Sequence, residues 1–507
     1  MPPDLVIDGR SLTIEDVVRV ARSTLANVTA APGALAALAE SRAIVERAIA
    51  RGDVLYGVNT GFGKLANVRI EAGQLDQLQA NLIKSHAAGV GAPFPAEIVR
   101  AMLLLRANVL LRPPSGVRPA LPEAVLALLN AGLVPCVPEQ GSVGASGDLA
   151  PLAHLALVLL GEGEVLADDG LRPAKAALAA AGLAPFRLAP KEGLAFINGT
   201  QAQTAVLALL VYDAEVLWRS ALGAAAMSLE ALRGTPTPLD ARIHELRPHE
   251  GQRRAAELLR GLLEASEIRE SHRENDPRVQ DAYSLRCTPQ VLGAVGDAIA
   301  FARRTVAVEL NASTDNPLVL AEGAVLSGGN FHGQPVAQAL DFVAIALTTL
   351  TALAERRVER LVNPDLSQGL PAFLTADAGL ASGYMMVQIT AASLVAESRA
   401  LAHPASIGSI PTDANQEDFV PMGMAAAYKA RRILRNAQQV VAAEFLCAAQ
   451  GLEFLKPLRP GTGVERLCRR IRSETDGVPP LQSDRPPAYD LARLTELVAA
   501  GELDPGL

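Results

Sequence analysis

A loop of small residues has the composition and spacing that best suit chemistry in this sequence: Gly141-Ser142-Val143-Gly144-Ala145-Ser146-Gly147-Asp148-Leu149. Its three glycines permit backbone conformations that a Cβ atom forbids. The mostly apolar run from Leu149 to Leu160 predicts a buried helix directly after the loop. Because a crowded loop before a core helix is costly to order, its presence indicates a functional role.

Three kinds of site could use this loop. A phosphate-binding loop would have Lys and Ser or Thr after its glycines, but Asp148 follows instead. A nucleophile elbow requires G-x-S-x-G, and here the glycine comes one place early. The third site uses the main chain: the nitrogen of Gly147 attacks the carbonyl carbon of Ala145, whose oxygen leaves as water, and loss of a second water from Ser146 then leaves an exocyclic methylene. The product is the electrophile 4-methylidene-imidazol-5-one (MIO). For three residues alone, an ordinary glycine turn that caps a helix is the favoured explanation, and other parts of the sequence must overturn it.

A tyrosine and a histidine lie in two glycine-containing segments upstream. Tyr56 begins the run Tyr56-Gly57-Val58-Asn59-Thr60-Gly61-Phe62-Gly63-Lys64, which predicts a mobile loop. The run is not a P-loop, because five residues rather than four separate its outer glycines and Leu65 follows the lysine. The tyrosine is either a base on a lid or an ordinary surface residue. His86 ends a predicted helix, where a histidine is often only a cap.

Two polar clusters occur in the second half of the chain. Gln280, Tyr283 and Arg286 are three residues apart and share one face if the segment is helical, although a solvated helix face has the same pattern. Arg286 has apolar neighbours in sequence, and a buried guanidinium needs an anionic partner. Glu417 precedes the last long helical pattern and is either a helix N-terminal acid or a site carboxylate.

Long helices must position these residues. Hydrophobic residues make up 50% of the 507 residues and aromatic residues only 4%, which favours closely packed helices over sheets. The long helical patterns cover residues 200–233, 289–309, 334–362, 381–402 and 424–455. Several are apolar around most of their circumference, which predicts burial on nearly every side and contacts between subunits.

The predicted fold is mainly α, with a long central multi-helix bundle and a smaller N-terminal domain that carries the glycine-rich loop. We expect residues 1–197 to form the N-terminal domain with the lid loop. Residues 198–507 are expected to form the helical-bundle domain, ending in a peripheral C-terminal tail over 457–507, where several prolines and alternating charges occur.

Several functional classes find no support in the composition. The net charge of −8 gives no basic footprint for nucleic acid. The seven histidines form no H-E-x-x-H pattern, so no metal site is expected. The sequence predicts a cytoplasmic protein without a membrane partner, for three reasons. The four cysteines are scattered, and the N-terminus does not resemble a signal peptide. The apolar stretch at 342–354 is too short to span a bilayer.

The clusters occur together, in order, in one known family. The chain resembles the MIO-carrying aromatic amino acid ammonia-lyases and aminomutases, and the histidine-specific members most of all. The matching segments cover residues 56–63, 85–89, 141–149, 198–201, 279–286, 314–317, 328–332 and 415–418. So many ordered matches favour MIO formation over an ordinary glycine turn.

The resemblance implies a role for each residue. MIO would form from Ala145-Ser146-Gly147 without an external cofactor, and capture of the substrate amine by its methylidene carbon would make the amine a leaving group. Tyr56 would remove the Cβ proton, and Arg286 would bind the substrate carboxylate. The other implied contacts are Asn198 and Tyr283 beside the MIO ring, Gln280 in the same wall, His86 and Glu417 at an imidazole, and Phe331 lining the pocket. Family members are typically homotetramers whose sites combine three subunits.

The expected reaction is elimination of ammonia from L-histidine to give trans-urocanate. Members acting on phenylalanine or tyrosine usually have Phe-Leu or His-Leu in place of Ser85-His86, and lack the acid at Glu417. Phe419, Pro421 and Asp413 depart from the usual histidine-specific pattern, so tyrosine, phenylalanine or a related amino acid stays an alternative. A 2,3-aminomutase would use the same residues. A non-catalytic helical scaffold is disfavoured, because both Ser146 and Tyr56 are present.

Overall fold

A computed structural model describes residues 4–23, 27–274 and 276–506. The described chain is mainly helical, which confirms the predicted fold class. Its α-helices are Ile14–Arg22, Pro32–Arg51, Leu75–His86, Ala96–Leu110, Ala120–Asn130, Leu149–Leu159, Ala174–Ala180, Glu192–Ile197, Gln201–Ala231, Ala241–Glu245, Glu250–Leu262, Glu267–Glu270, Tyr283–Arg286, Thr288–Glu309, Gln334–Val362, Met385–Leu401, Gly423–Glu453, Thr462–Ile471 and Pro487–Ala499. The five long helical patterns are thus confirmed, with shifts at most of their ends.

The strands are short and form separate sheets of two or three strands. Leu5–Ile7 pairs in parallel with Val28–Ala30. The remaining pairings are antiparallel: Val90–Pro93 with Pro138–Gln140, Val134–Pro135 with Glu164–Ala167, Glu164–Ala167 with Gly170–Pro173, and Leu318–Val319 with Val325–Leu326. The pairing of Pro138–Gln140 fixes the chain immediately before the glycine-rich loop.

The chain packs as two compact units. The first comprises residues 1–212, 302–341 and 404–428, and the second comprises residues 213–301, 342–403 and 429–507. Each unit therefore combines three separate segments of the chain. The predicted boundary between residues 197 and 198 stays a prediction.

In the first unit, the helix Ala96–Leu110 is the centre of the core. Every residue from Ile98 to Leu110 is buried, so the helix has no solvated face. It packs against Ile14–Arg22 and Ala120–Asn130, while Leu149–Leu159 packs against Leu75–His86 and Glu192–Ile197. The apolar run after the glycine-rich loop is therefore a buried helix, as its sequence predicts.

In the second unit, a buried ion pair links three helical segments. The guanidinium of Arg357 donates from Nη2 to Glu444 Oε2 at 2.8 Å, and Ser228 Oγ donates to Glu444 Oε1 at 2.7 Å. Arg357 and Glu444 are fully buried, so each charge depends on the other for compensation. The pair therefore helps to fix the register of these helices.

The C-terminal segment over 457–507 contains two helices that pack against the protein, and its predicted peripheral position stays a prediction. Helices Thr462–Ile471 and Pro487–Ala499 bury apolar side chains at helical spacing, among them Val464, Leu467 and Leu494. The many charged residues between these positions obscure the apolar stripe in the sequence, although the stripe is wide enough to pack a helix.

The apolar stretch at 342–354, predicted to be too short for a bilayer, lies within the longer helix Gln334–Val362. This helix has 29 residues and a mean hydropathy of 1.7 over its most apolar window, so by length and composition it could cross a bilayer. Within that window, 67% of the helix is buried in the protein. Packing inside the protein thus accounts for most of its apolar character. Phe342 and Ile345 remain exposed, so the prediction of burial on nearly every side holds only in part.

Candidate active site

The loop at 141–148 adopts the conformation that its glycines suggest. Gly144 and Gly147 have φ values of +77° and +80°, in the left-handed region that favours glycine. A Cβ atom at Gly147 would lie 2.1 Å from the carbonyl oxygen of Gly199, so no side chain fits there. The backbone of Gly147 is therefore pressed against the segment that precedes the helix Gln201–Ala231.

Asp148 links the loop to that helix. Its backbone N–H donates to Gly199 O at 2.8 Å, and its carboxylate accepts from the backbone N–H of Gln203 at 2.8 Å and from the hydroxyl of Ser142 at 3.1 Å. Burial raises the pKa of the Asp148 carboxyl to about 6, although these hydrogen bonds favour the charged form. Asp148 thus fixes both ends of the loop.

Asn198 contacts the loop at its central residue. Its amide Nδ2 donates to the carbonyl oxygen of Ser146 at 2.6 Å. Behind it, the fully buried Arg106 donates from Nη1 to Asn198 O at 3.1 Å and to Gln201 Oε1 at 2.8 Å. Burial lowers the pKa of the Arg106 guanidinium to about 10. A buried cation therefore anchors the residue that polarises the Ser146 carbonyl.

Glu417 reaches the loop from a tight turn. One carboxylate oxygen accepts from the Ser146 hydroxyl, and the other accepts from the Thr412 hydroxyl at 2.7 Å. The backbone N–H of Thr412 also donates to Glu417 O at 2.9 Å. The turn therefore aims the carboxylate at the residue that would lose its hydroxyl.

Tyr56 lies on the glycine-rich loop that the sequence predicts. Its phenolic oxygen accepts from the backbone N–H of Gly63 at 3.1 Å. The base of the loop is fixed by Asn59, which accepts from Leu55 N and donates to Asp53 O, both at 2.8 Å. The tyrosine is thus held by its own loop.

His86 ends the helix Leu75–His86, as expected. Its Nδ1 lies 2.8 Å from the carbonyl oxygen of Leu82, which can only accept, so this nitrogen carries the proton. In the neutral ring, Nε2 is then an acceptor. The following segment is held by His154, whose Nε2 accepts from Gly89 N at 3.1 Å. Burial lowers the pKa of His154, in keeping with a neutral acceptor.

A cavity of about 1120 Å³ in the first unit brings most of the predicted residues together. The predicted site residues in its lining are Tyr56, His86, Ala145, Ser146, Asn198, Phe331 and Glu417. Gly147 is buried directly behind them. Segments that are separated by hundreds of residues therefore share one site.

The other three predicted residues belong to the second unit. Gln280 and Arg286 line a cavity of about 680 Å³ there. Tyr283 is 70% exposed, and the Arg286 guanidinium carbon lies 4.6 Å from the centre of its ring. Arg286 Nε is buried and has no hydrogen-bond partner among the described residues. The structure does not group these residues with the first seven, and their roles stay predictions.

Sequence reasoning missed the residues that support the site. Asp148 and Gln203 hold the loop, and Thr412 orients Glu417. A signal for the first pair exists, because Thr200, Gln201, Gln203 and Thr204 make the start of an otherwise apolar helix polar, and all four are buried. Such a buried polar cluster requires partners, and the loop provides them.

Comparisons with known proteins identify the family of the chain. A family model described as aromatic amino acid lyase matches residues 12–473. The chain belongs to this family. A histidine ammonia-lyase from Gloeobacter violaceus is 52% identical over 500 residues, which are 98% of this chain and 96% of that protein.

Two solved structures show the same aromatic amino acid lyase fold. A histidine ammonia-lyase from Trypanosoma cruzi is 42% identical, with a TM-score of 0.91, covering 99% of this chain and 94% of that one. A tyrosine aminomutase from Streptomyces globisporus is 38% identical, with a TM-score of 0.93, covering 99% and 98% of the two chains. The fold is therefore common to a lyase and an aminomutase.

The loop of this aromatic amino acid lyase fits the MIO group. Closure of a ring from the Gly147 nitrogen to the Ala145 carbonyl carbon retains the Ser146 carbonyl, to which Asn198 already donates. Gly147 has no room for a side chain, as an unhindered nitrogen requires. Asn198 Oδ1 is buried without a partner among the described residues, which leaves one acceptor free at the site.

Proposed function

We propose that this protein is a histidine ammonia-lyase, which eliminates ammonia from L-histidine to give trans-urocanate. The chain is a carbon–nitrogen lyase of the aromatic amino acid lyase family. The observation that carries the proposal is the single cavity in which Ser146, Tyr56, His86 and Glu417 meet. The relatives named histidine ammonia-lyase, at about half-identical sequence over nearly the full length, support the same substrate.

Ala145-Ser146-Gly147 would form MIO, which supplies an electrophilic carbon for the amine of an amino acid. Asn198 would hold and polarise the ring carbonyl through the contact that it makes with Ser146 O. Two neighbouring contacts would position Asn198. The backbone N–H of Asp148 donates to Gly199 O, and Arg106 donates to Asn198 O. No metal or external organic cofactor enters the proposal.

Tyr56 would accept the Cβ proton of the substrate. The N–H of Gly63 donates to its oxygen, and such a donor stabilises negative charge that develops there. The tyrosine lines the same cavity as Ser146, so both reach one bound molecule. Its glycine-rich loop allows substrate to enter before the site closes.

His86 and Glu417 would recognise the imidazole ring. With Nδ1 donating to Leu82 O, a His86 ring that carries only this proton would present Nε2 as an acceptor, and Glu417 would present a carboxylate. Two acceptors match the two N–H donors of a protonated imidazole. A phenyl ring offers no donor, and a phenol or a neutral imidazole offers one. Only the protonated imidazole therefore pairs both acceptors, and each unpaired acceptor costs binding free energy. Phe331 would line the apolar side of the ring.

Gln280, Tyr283 and Arg286 would reach the cavity from neighbouring subunits of a homotetramer. Arg286 would bind the substrate carboxylate bidentately, with Tyr283 and Gln280 beside the amine. Exposed apolar side chains on long helices of the second unit, including Phe301, Phe342, Ile345, Met386 and Ile389, support association. All four cysteines are unpaired, as is typical of the cytoplasm, where we place the protein.

A parallel assay tests the proposal. Purified protein is incubated with L-histidine, L-tyrosine and L-phenylalanine, and the conjugated acid product is followed for each. We expect histidine to be turned over fastest, by protein whose intact mass is two waters below the sequence mass. Turnover of none of the three would refute the function. Full activity at the unreduced mass would refute MIO.

A 2,3-aminomutase is the second candidate, since the tyrosine aminomutase from Streptomyces globisporus has the same fold at a TM-score of 0.93. An aminomutase would return ammonia to Cβ and release a β-amino acid. Analysis of the products for amino groups separates the two reactions, because a lyase releases free ammonia in equal amount to the unsaturated acid.

A further inference from the structure

The turn at Thr412–Glu417 contains three successive residues in a conformation that side chains disfavour. Asp413, Ala414 and Asn415 have φ values of +48°, +51° and +65°. Asp and Asn tolerate this left-handed region better than other residues, but alanine does not. A strained backbone of this kind persists where its surroundings enforce it, and it concentrates at functional positions.

The turn directs the carboxylate of Asp413 at the Tyr56 loop. Asp413 Oδ2 accepts from the backbone N–H of Lys64 at 3.1 Å. A Cβ atom at Gly63 would lie 2.1 Å from the same oxygen, so the approach requires glycine at that position. The N–H of Gly63 donates in turn to the hydroxyl oxygen of Tyr56. Two successive backbone N–H groups therefore hold Asp413 and Tyr56.

The same turn holds Glu417 at its other end. Thr412 and Glu417 exchange backbone hydrogen bonds in both directions, and the Thr412 hydroxyl donates to the Glu417 carboxylate. Asp413 and Glu417 both line the cavity. One rigid turn thus contacts both the loop that covers the cavity and the loop that contains Ser146.

We propose that Asp413 is a positioning residue that latches the Tyr56 loop over the cavity. Its carboxylate fixes the N–H of Lys64, and the N–H of the adjacent residue, Gly63, holds the Tyr56 oxygen. The latch itself depends only on these contacts, whereas its effect on turnover rests on the proposed function. Loss of the carboxylate releases the loop and leaves Tyr56, Glu417 and Ser146 unchanged in sequence.

Two variants separate the carboxylate from the backbone strain. Asp413→Asn keeps a residue that tolerates positive φ and removes the charge. Asp413→Gly removes the whole side chain and relieves the strain, so failure to fold is not expected. Gly63→Ala disrupts the same contact from the Tyr56 loop, because its Cβ atom would collide with the Asp413 carboxylate. Asp168→Asn, at an exposed position in the same unit, is the charge-matched control.

Limited digestion with trypsin reports on the latch directly. Lys64 is exposed, and cleavage after it requires local opening of the loop. We expect cleavage after Lys64 to be about tenfold faster in Asp413→Gly, less so in Asp413→Asn, and unchanged in Asp168→Asn. Cleavage after Lys175, in the helix Ala174–Ala180, should keep its wild-type rate in all variants. Mass spectrometry of the fragments measures both rates.

The outcomes distinguish the latch from the proposed function. A Lys64 cleavage rate within twofold of wild type in Asp413→Gly overturns the latch, whatever the turnover. Parallel acceleration at Lys64 and Lys175 also overturns it, because a general loss of stability would then be the cause. If wild-type protein turns over no amino acid, the proposed function fails while the digestion result still decides the latch. With both intact, kcat should fall about tenfold in Asp413→Gly and KM should change less.

Discussion

Replacement of Glu417 by glutamine tests how the substrate ring is recognised. The change keeps the size of the side chain and an oxygen that can accept from Thr412, but it removes the negative charge. Its effect depends on whether the bound ring is neutral or charged. The size of the fall in kcat/KM in Glu417→Gln therefore reports whether the bound substrate ring is neutral or protonated.

The magnitude follows from the half-buried position of Glu417. For a neutral ring, the loss is the difference between a charge-assisted and a neutral hydrogen bond, about 1 to 1.5 kcal/mol, or roughly a tenfold fall in kcat/KM. For an imidazolium, the loss is that of an ion pair at about 4 Å with an effective dielectric constant near 20, in total about 4 kcal/mol, or roughly a thousandfold. The two cases are separated by two orders of magnitude.

The assay compares kcat/KM for L-histidine in wild type and Glu417→Gln, with any turnover of L-phenylalanine as the internal reference. The ratio of the two substrates should shift against histidine by the factors above. Glu322→Gln, at an exposed position in the same unit, controls for the change in net charge. A fall of less than twofold on histidine, in protein whose mass shows the matured loop, would contradict the assignment of Glu417.

Three further predictions concern the loop and the stability of the fold. Ser146→Ala should have the mass calculated for the variant sequence without loss of water, and its turnover should fall by at least about three orders of magnitude. Its circular dichroism should be unchanged, and near-normal rates would exclude the electrophile. Gly147→Ala places a Cβ atom 2.1 Å from Gly199 O at a φ of +80°, so we expect a loss of about 2 to 4 kcal/mol and no loss of two waters, which unfolding and mass measurements would check. Burial raises the pKa of Glu230 from 4.5 to about 7, so the folded protein binds the extra proton, and the free energy of unfolding should fall by about 3 kcal/mol as the pH rises from about 4.5 to about 7. Glu230→Gln should lack this fall in urea denaturation at about pH 5 and pH 8, and an unchanged slope would contradict the assignment.

Local sequence patterns predict the helices well where packing is uniform. The helix Gln334–Val362 has the predicted bounds, because its apolar positions recur along its whole length. The helix predicted to begin at residue 381 begins at Met385 instead. The cause is Asp484, whose carboxylate accepts from the backbone N–H groups of Ser382 and Gly383 and holds them outside the helix. A contact across a hundred residues leaves no local signal.

The candidate site shows the same limit. Ser146 and its neighbours could be predicted, because the spacing of glycines restricts what a loop can do. Asp148 could not be assigned a role, since its partner Gln203 lies 55 residues away in sequence. In the sequence, Asp413 is only a departure from the usual histidine-specific pattern. Its contact with the backbone N–H of Lys64 is visible only in the structure. Supporting residues of this kind depend on tertiary proximity, which sequence periodicity does not encode.

The close approach of Gly147 to Gly199 bears on how such proteins diversify. Neither glycine tolerates a Cβ atom, since one at Gly199 would lie 2.5 Å from Gln201 Oε1. The reactive peptide is thus framed by main chain and by buried polar groups, whereas His86 and Glu417 stand on separate segments. Substitutions at His86 or Glu417 would leave the main chain around Gly147 and Gly199 intact. If Ala145-Ser146-Gly147 forms MIO as proposed, substrate preference can change without loss of that group, which fits one fold shared by relatives named for different amino acids.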